Sequence, residues 1–212
     1  LKIFSISGLG ADARAFANLR LSDHELIHVP WLKPARNESL PDYSARMLKA
    51  IDTSQPFALL GLSFGGLVAQ TVSTMCAPEQ VMLISSLQSR KELPTLFRLL
   101  GGMRLHRLIP GKWLTNYNFL TRHYFGPLSD ESRDLLQIML KETDPSFLKW
   151  AIAQIMKFQP IDSVKPTRIH GDQDRIIPFP SAIDCSRVSG GGHLMIIDDA
   201  PLISKLINDK LA

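Results

Sequence analysis

Apolar runs and helix-spaced stripes take turns along the chain. Lys2–Ser7 (KIFSIS) is a short alternating run closed by Gly8-Leu9-Gly10, and Ala13, Phe16 and Leu19 then recur at helical spacing behind Asp12, a predicted cap. His24–Trp31 (HELIHVPW) reads as a second strand bounded by Pro30 and Pro34. Ser39 and Pro41 open a helix with Tyr43, Met47, Leu48 and Ile51 on one face, because proline lacks only an N–H that the first helical turn leaves unpaired. Phe57–Leu60 is a strand, and Leu67, Val68, Thr71, Val72 and Met75 form the apolar face of a following helix. Gln80–Ser85 (QVMLIS) is the next strand. Strands that alternate with helices pair in parallel and are covered by helices on both faces. From 87 to 165 the pattern turns helical throughout, over Leu93–Leu108, Trp113–Phe125, Asp130–Lys141 and Pro145–Phe158. Strand-like runs return at Pro166–His170 and Asp184–Ser189, and a last helix opens at Asp199 and Pro201 with Ile203, Leu206, Ile207 and Leu211 buried. The expected fold is α/β, a mostly parallel sheet of about six strands from residues 1–86 and 166–212, with an all-helical cap inserted over 87–165.

The junction Gly61-Leu62-Ser63-Phe64-Gly65-Gly66 lies between a strand and a helix. A serine flanked by glycines two positions away on either side matches the G-x-S-x-G elbow, whose turn is so tight that side chains do not fit beside the serine. Ser63 is therefore a candidate nucleophile. A hydroxyl is a poor nucleophile at neutral pH and needs a base within hydrogen-bond reach and an acid to orient that base. Among the 6 histidines, only His193 sits in a loop just past a predicted strand, behind three glycines that permit close approach to other loops. His24 and His28 belong to a strand, His106 and His123 to the helical insert, and His170 completes the strand before its turn. Gly171–Pro178 (GDQDRIIP) offers two acids. Asp174 is favoured because it leaves the carboxyl end of a strand, where open parallel sheets hold ligands. Asp172 suits a turn cap, and Asp198 and Asp199 suit helix caps.

Composition adds boundaries. A 212-residue chain with 45% hydrophobic residues has ample material for a buried core. No window reaches the roughly 20 apolar residues of a membrane span and no signal-peptide pattern opens the chain, so it reads as cytoplasmic. The 2 cysteines, Cys76 and Cys185, have no metal-ligand spacing and make a poor disulfide framework. The formal net charge is +4, yet Arg90, Lys91, Arg98, Arg104, Arg107, Lys112 and Arg122 stand against Glu92 alone, a local net of +6. Such a segment is either a solvated face or a surface that attracts anions.

The order Ser63, Asp174, His193, with GLSFGG, HGDQDRIIP and GGHLMIIDDAP, resembles the α/β-hydrolase superfamily, whose triad runs serine, acid, histidine. The resemblance implies a short, N-terminally trimmed member with a helical cap, beginning at the strand that precedes the oxyanion loop. It further implies a catalytic triad of those three residues and an oxyanion hole from the backbone N–H groups of Leu9 and Phe64. Where the family often has His-Gly before an apolar residue, this chain has Ser7-Gly8-Leu9, which leaves the donor but puts the support of the loop in question. The expected activity is serine hydrolysis of a small to medium acyl ester, with no cofactor or metal and no nucleic-acid partner. Gly8, Leu62, Trp113 and Trp150 are candidate pocket residues, with Phe97, Leu100, Met103 and Phe119 as a possible roof. A thioesterase, a carbon–carbon bond hydrolase and a slow, hydrolase-like binding protein share the same residues and stay open.

Overall fold

The computed structural model describes residues 1–102, 113, 115–181 and 184–211. Six strands form a single sheet: β1 (Lys2–Ile6), β2 (Glu25–His28), β3 (Phe57–Leu62), β4 (Gln80–Ile84), β5 (Thr167–Gly171) and β6 (Ser186–Val188). Their order is β2-β1-β3-β4-β5-β6, and every neighbouring pair is parallel. The chain thus moves outward from β1 to one edge, then returns to β3 and builds toward the other. Loops after β1 and β3 consequently part in opposite directions and leave a crevice at their carboxyl ends.

The central strands are buried on both sides, so alternate residues supply two cores. Phe57 and Leu59 of β3 and Val81 and Leu83 of β4 face one cluster, while Ala58, Leu60, Leu62, Met82 and Ile84 face the other. The first cluster is covered by α1 (Leu40–Leu48), α2 (Phe64–Ser73) and α6 (Pro145–Ile155), through Tyr43, Met47, Leu67, Val68, Val72, Phe147 and Ala151. The second is covered by α5 (Asp130–Glu142), α7 (Met195–Asp198) and α8 (Ala200–Leu211), through Leu136, Met139, Ile196, Ile203 and Ile207. Between β4 and β5 the chain also forms α3 (Thr95–Gly102) and α4 (Phe119–Phe125), joined by the Phe97 and Tyr124 rings at 4.9 Å. No strand lies among the described residues of this stretch. The remainder of the helix expected over 93–108, with Met103, Arg104, His106 and Arg107, lies outside the described residues, as does Lys112.

Several local expectations are met with shortened bounds. Ser39 caps α1 by accepting from Asp42 N–H, with Pro41 in the first turn. The helix expected after the glycine loop is only a 3-10 turn over Ala13–Phe16, capped by Asp12. The chain must return at once to β2, and Ser204 of α8 takes the Arg20 N–H at 2.9 Å on the way. Asp198 does not cap its own helix. It crosses to the start of α5, where its carboxylate accepts from both Ser129 and Ser132 hydroxyls at 2.5 and 2.6 Å.

Candidate active site

Ser63 occupies the one-residue turn between β3 and α2 with φ 51° and ψ −119°, a backbone region that side-chain-bearing residues avoid. The crossing of strand and helix explains its glycines. A Cβ on Gly61 would lie 2.4 Å from Gly66 Cα, and one on Gly65 would lie 2.1 Å from Ile6 O. The strained turn is fastened from three sides. Ser63 N–H donates to Ile84 O (2.9 Å), Gly66 N–H donates to Ser63 O (2.9 Å), and the Ser86 hydroxyl donates to Ser63 O (2.7 Å).

The structure brings the three residues singled out in sequence into one line. His193 Nε2 is 2.9 Å from Ser63 Oγ, and His193 Nδ1 is 2.7 Å from Asp174 Oδ2. A carboxylate opposite Nδ1 makes that nitrogen the donor, which leaves Nε2 as the acceptor facing the serine hydroxyl. Asp174 is buried, and its Oδ1 accepts the backbone N–H groups of Ile176 (2.9 Å) and Ile177 (3.0 Å). Burial by itself would push the Asp174 carboxyl up, but the His193 and His170 imidazoles outweigh it and hold the group down at about 2. Asp172 does something else: its Oδ1 accepts Gly190 N–H at 2.8 Å and so closes the two loops on each other.

His193 is set by close backbone packing. A Cβ on Gly171 would lie 2.1 Å from Gly191 O, and one on Gly192 would lie 2.6 Å from Phe125 O, so β5, the glycine loop and the end of α4 share a space that side chains cannot enter. His193 N–H donates to Phe125 O (2.7 Å), and the Phe125 ring meets the imidazole edge-on at 5.4 Å. Arg175 N–H likewise donates to Tyr124 O (3.3 Å). The end of α4 is therefore bound to the loops of both the histidine and the acid.

The loop after β1 runs beside Ser63, since a Cβ on Gly8 would sit 3.1 Å from Ser63 Cβ. Ser7, the departure from His in that loop, is fully buried and donates to Ala11 O at 2.8 Å, while Ala11 N–H returns to Gly8 O at 3.2 Å. The hydroxyl thus closes the loop on itself. Phe64 opens α2, so its N–H is among those a helix leaves unpaired. Leu62 is buried directly before Ser63. Trp150 packs on Tyr43 (4.5 Å) and Phe64 (5.9 Å), and its indole N–H donates to Glu38 O (2.8 Å). Trp113 is 63% exposed.

Two features escaped sequence reading. Arg168 of β5 is buried, with Nη2 donating to Ser86 O (2.8 Å) and Glu92 Oε2 (2.6 Å), which ties the start of the inserted helices to the residue that supports Ser63 O. His170, assigned only to a strand, meets the acid. The four-residue spacing to Asp174 is the one sequence signal that pointed there.

Solved structures match over nearly the whole chain. A lipase-esterase related protein from Clostridium acetobutylicum has a TM-score of 0.73 at 14% identity, covering 98% of this chain and 93% of that one. MenH from S. aureus gives 0.71 at 15% identity over 97% and 91%. A thermophilic esterase from Thermogutta terrifontis gives 0.69 at 14% identity over 100% and 89%. No protein-family model matches the sequence, and no curated protein matches it. The fold shared with these structures is the α/β-hydrolase fold. Among the described residues no helix is long and apolar enough to cross a membrane, and no three His, Cys, Asp or Glu side chains are grouped to hold a metal ion.

Proposed function

We propose that this protein is a serine hydrolase that cleaves a small to medium acyl ester through an acyl-enzyme. The observation that carries this reading is the unbroken line Ser63 Oγ, His193 Nε2, His193 Nδ1, Asp174 Oδ2 at a serine held in strained backbone geometry. His193 takes the Ser63 proton as Oγ attacks the ester carbonyl. Asp174 keeps Nδ1 protonated and stabilises the imidazolium. The tetrahedral oxyanion is received by the N–H groups of Phe64 and Leu9, the first aligned with the dipole of α2. His193 then gives its proton to the departing alkoxide. Water enters and attacks the acyl carbonyl as His193 removes its proton, and His193 returns that proton to Ser63 Oγ as the acyl group leaves as a carboxylic acid. Each oxyanion donor is worth about 3–4 kcal/mol in the transition state.

Gly8 and Leu62 border the nucleophile, and within the insert 87–165, α3, Trp113 and α4 act as the cap that selects the acyl group, with Trp150 contributing from α6, which together with α5 covers the sheet. Esterases and lipase-related proteins among the structural matches support hydrolysis without selecting a substrate. The test is a chain-length panel of acyl esters and thioesters on wild type and Ser63→Ala, with fluorophosphonate labelling alongside. Labelling at Ser63 that vanishes in His193→Ala is expected. Ester turnover retained by Ser63→Ala, or no labelling of wild type, would sink the proposal.

A further inference from the structure

Asp174 Oδ2 faces two imidazoles. His193 Nδ1 is at 2.7 Å and His170 Nε2 at 3.2 Å, while the same His170 Nε2 is 2.7 Å from Ile177 O. Both atoms opposite His170 Nε2 are acceptors, so that nitrogen carries the hydrogen and donates to each. Ile177 is thereby held at both ends of its residue, its N–H by Asp174 Oδ1 and its carbonyl by His170. His170 is buried at the carboxyl end of β5, and its ring meets Phe179 edge-on at 6.3 Å.

We propose that His170 is a positioning residue: its Nε2–H closes the Gly171–Ile177 loop and shares the Asp174 carboxylate, thereby limiting how strongly that carboxylate favours the protonated form of His193. The proposal rests on the serine-hydrolase reading for its kinetic test and on geometry alone for its spectroscopic one. A donor on Oδ2 withdraws negative charge from the oxygen that His193 uses. Removing it returns that charge to His193. The other charged groups around the pair have further partners of their own. Asp172 accepts from Gly190 and lies 3.9 Å from Arg187; Arg187, the register partner of His170 on β6, lies over the Phe179 ring at 4.4 Å; and exposed Arg175 reaches His123.

The experiment compares wild type, His170→Met, which keeps volume and loses the donor, and His170→Gln, which keeps a donor. The acidic limb of the kcat/KM profile on an activated ester is expected to move up by about half to one pH unit in the Met variant and to stay near wild type in the Gln variant. A His170→Met variant that is folded and keeps the wild-type limb overturns the proposal, as does an equal shift in both variants. If wild type turns over no ester, the hydrolase reading fails, and a ring-nitrogen NMR titration of His193 in the same variants decides the role of His170. If the Met variant does not fold, wild-type ring spectra decide it. His170 must carry its hydrogen on Nε2, and an Nδ1–H tautomer there overturns the proposal.

Discussion

Substituting Gly65 by alanine isolates what holds the candidate nucleophile in place. A Cβ at this position would lie 2.1 Å from Ile6 O and 2.4 Å from Ser7 O. Non-bonded carbon and oxygen need about 3.3 Å, so something must move by roughly 1 Å. Neither obstacle is a side chain that can rotate away. Ile6 ends β1, a strand held between β2 and β3, and Ser7 begins the loop that Ser7 Oγ closes on Ala11 O. The displacement therefore falls on α2 and its first turn. Overpacking costs about 1–3 kcal/mol, and rigid backbone on the far side puts this case near about 3 kcal/mol. For a chain of this size that lowers the melting temperature by about 6–12 °C. A shift of that size between Ser63 and the Gly8-Leu9 loop should reduce reaction rate about a hundredfold. Thermal melting and the rate of fluorophosphonate labelling read the two effects separately. Gly190→Ala is the control, because its Cβ meets no atom within 4 Å and only its φ of +78° is strained. It should cost about 1 kcal/mol and leave labelling near wild type. A Gly65→Ala protein that melts and labels like wild type would refute the packing of α2 on β1 described above.

Other perturbations test separate parts of the site. Asp174 has its carboxyl lowered from 3.8 to about 2 by the two imidazoles in spite of burial, so its contribution to stability is present above about pH 4 and lost as pH falls toward about 2. The stability gap between wild type and Asp174→Asn should shrink through that window in thermal melts, and a constant gap would refute the coupling. Arg168→Met removes the donor to Ser86 O and to the partly buried Glu92 carboxylate, which keeps the Gln88 and Ser89 N–H groups, and should cost about 1–3 kcal/mol in denaturant unfolding. Adding Glu92→Gln should recover part of that loss, and strict additivity would refute the pair. Arg90, Lys91, Arg98 and Arg122 are exposed, whereas Glu92, the segment's acid, is occupied by Arg168. Esters bearing a carboxylate should therefore lose kcat/KM with rising ionic strength more steeply than neutral esters, and equal slopes would remove any steering role.

Local sequence carried far in this protein where geometry is set by neighbours along the chain. Gly61, Ser63 and Gly65 lie within five residues, and the strand before them and helix after them follow from apolar spacing alone. The alignment of Ser63, His193 and Asp174 was legible for a related reason: parallel strands deliver their following loops to one edge of the sheet, so the three needed only to be recognised as post-strand residues. The helix after the first glycine loop was over-read, because spacing in Ala13, Phe16 and Leu19 does not report how soon the chain must turn back to β2. Asp198 was read as a local cap because sequence presents only local partners, whereas its serines stand on α5, more than sixty residues earlier.

What the sequence determined by itself was the order of strands and helices, the tight turn at Ser63, and the identity of its candidate base and acid, since each depends on periodicity or on side chains that a short turn excludes. Only the tertiary structure decided that Asp174 serves two imidazoles, that Arg168 is buried against Glu92, and that α4 is bound to the loops of both His193 and Asp174. Those contacts join residues distant in the chain across space that the packed sheet defines. A charge or a ring on a strand shows its partner only when the neighbouring strands and the loops above them are in place.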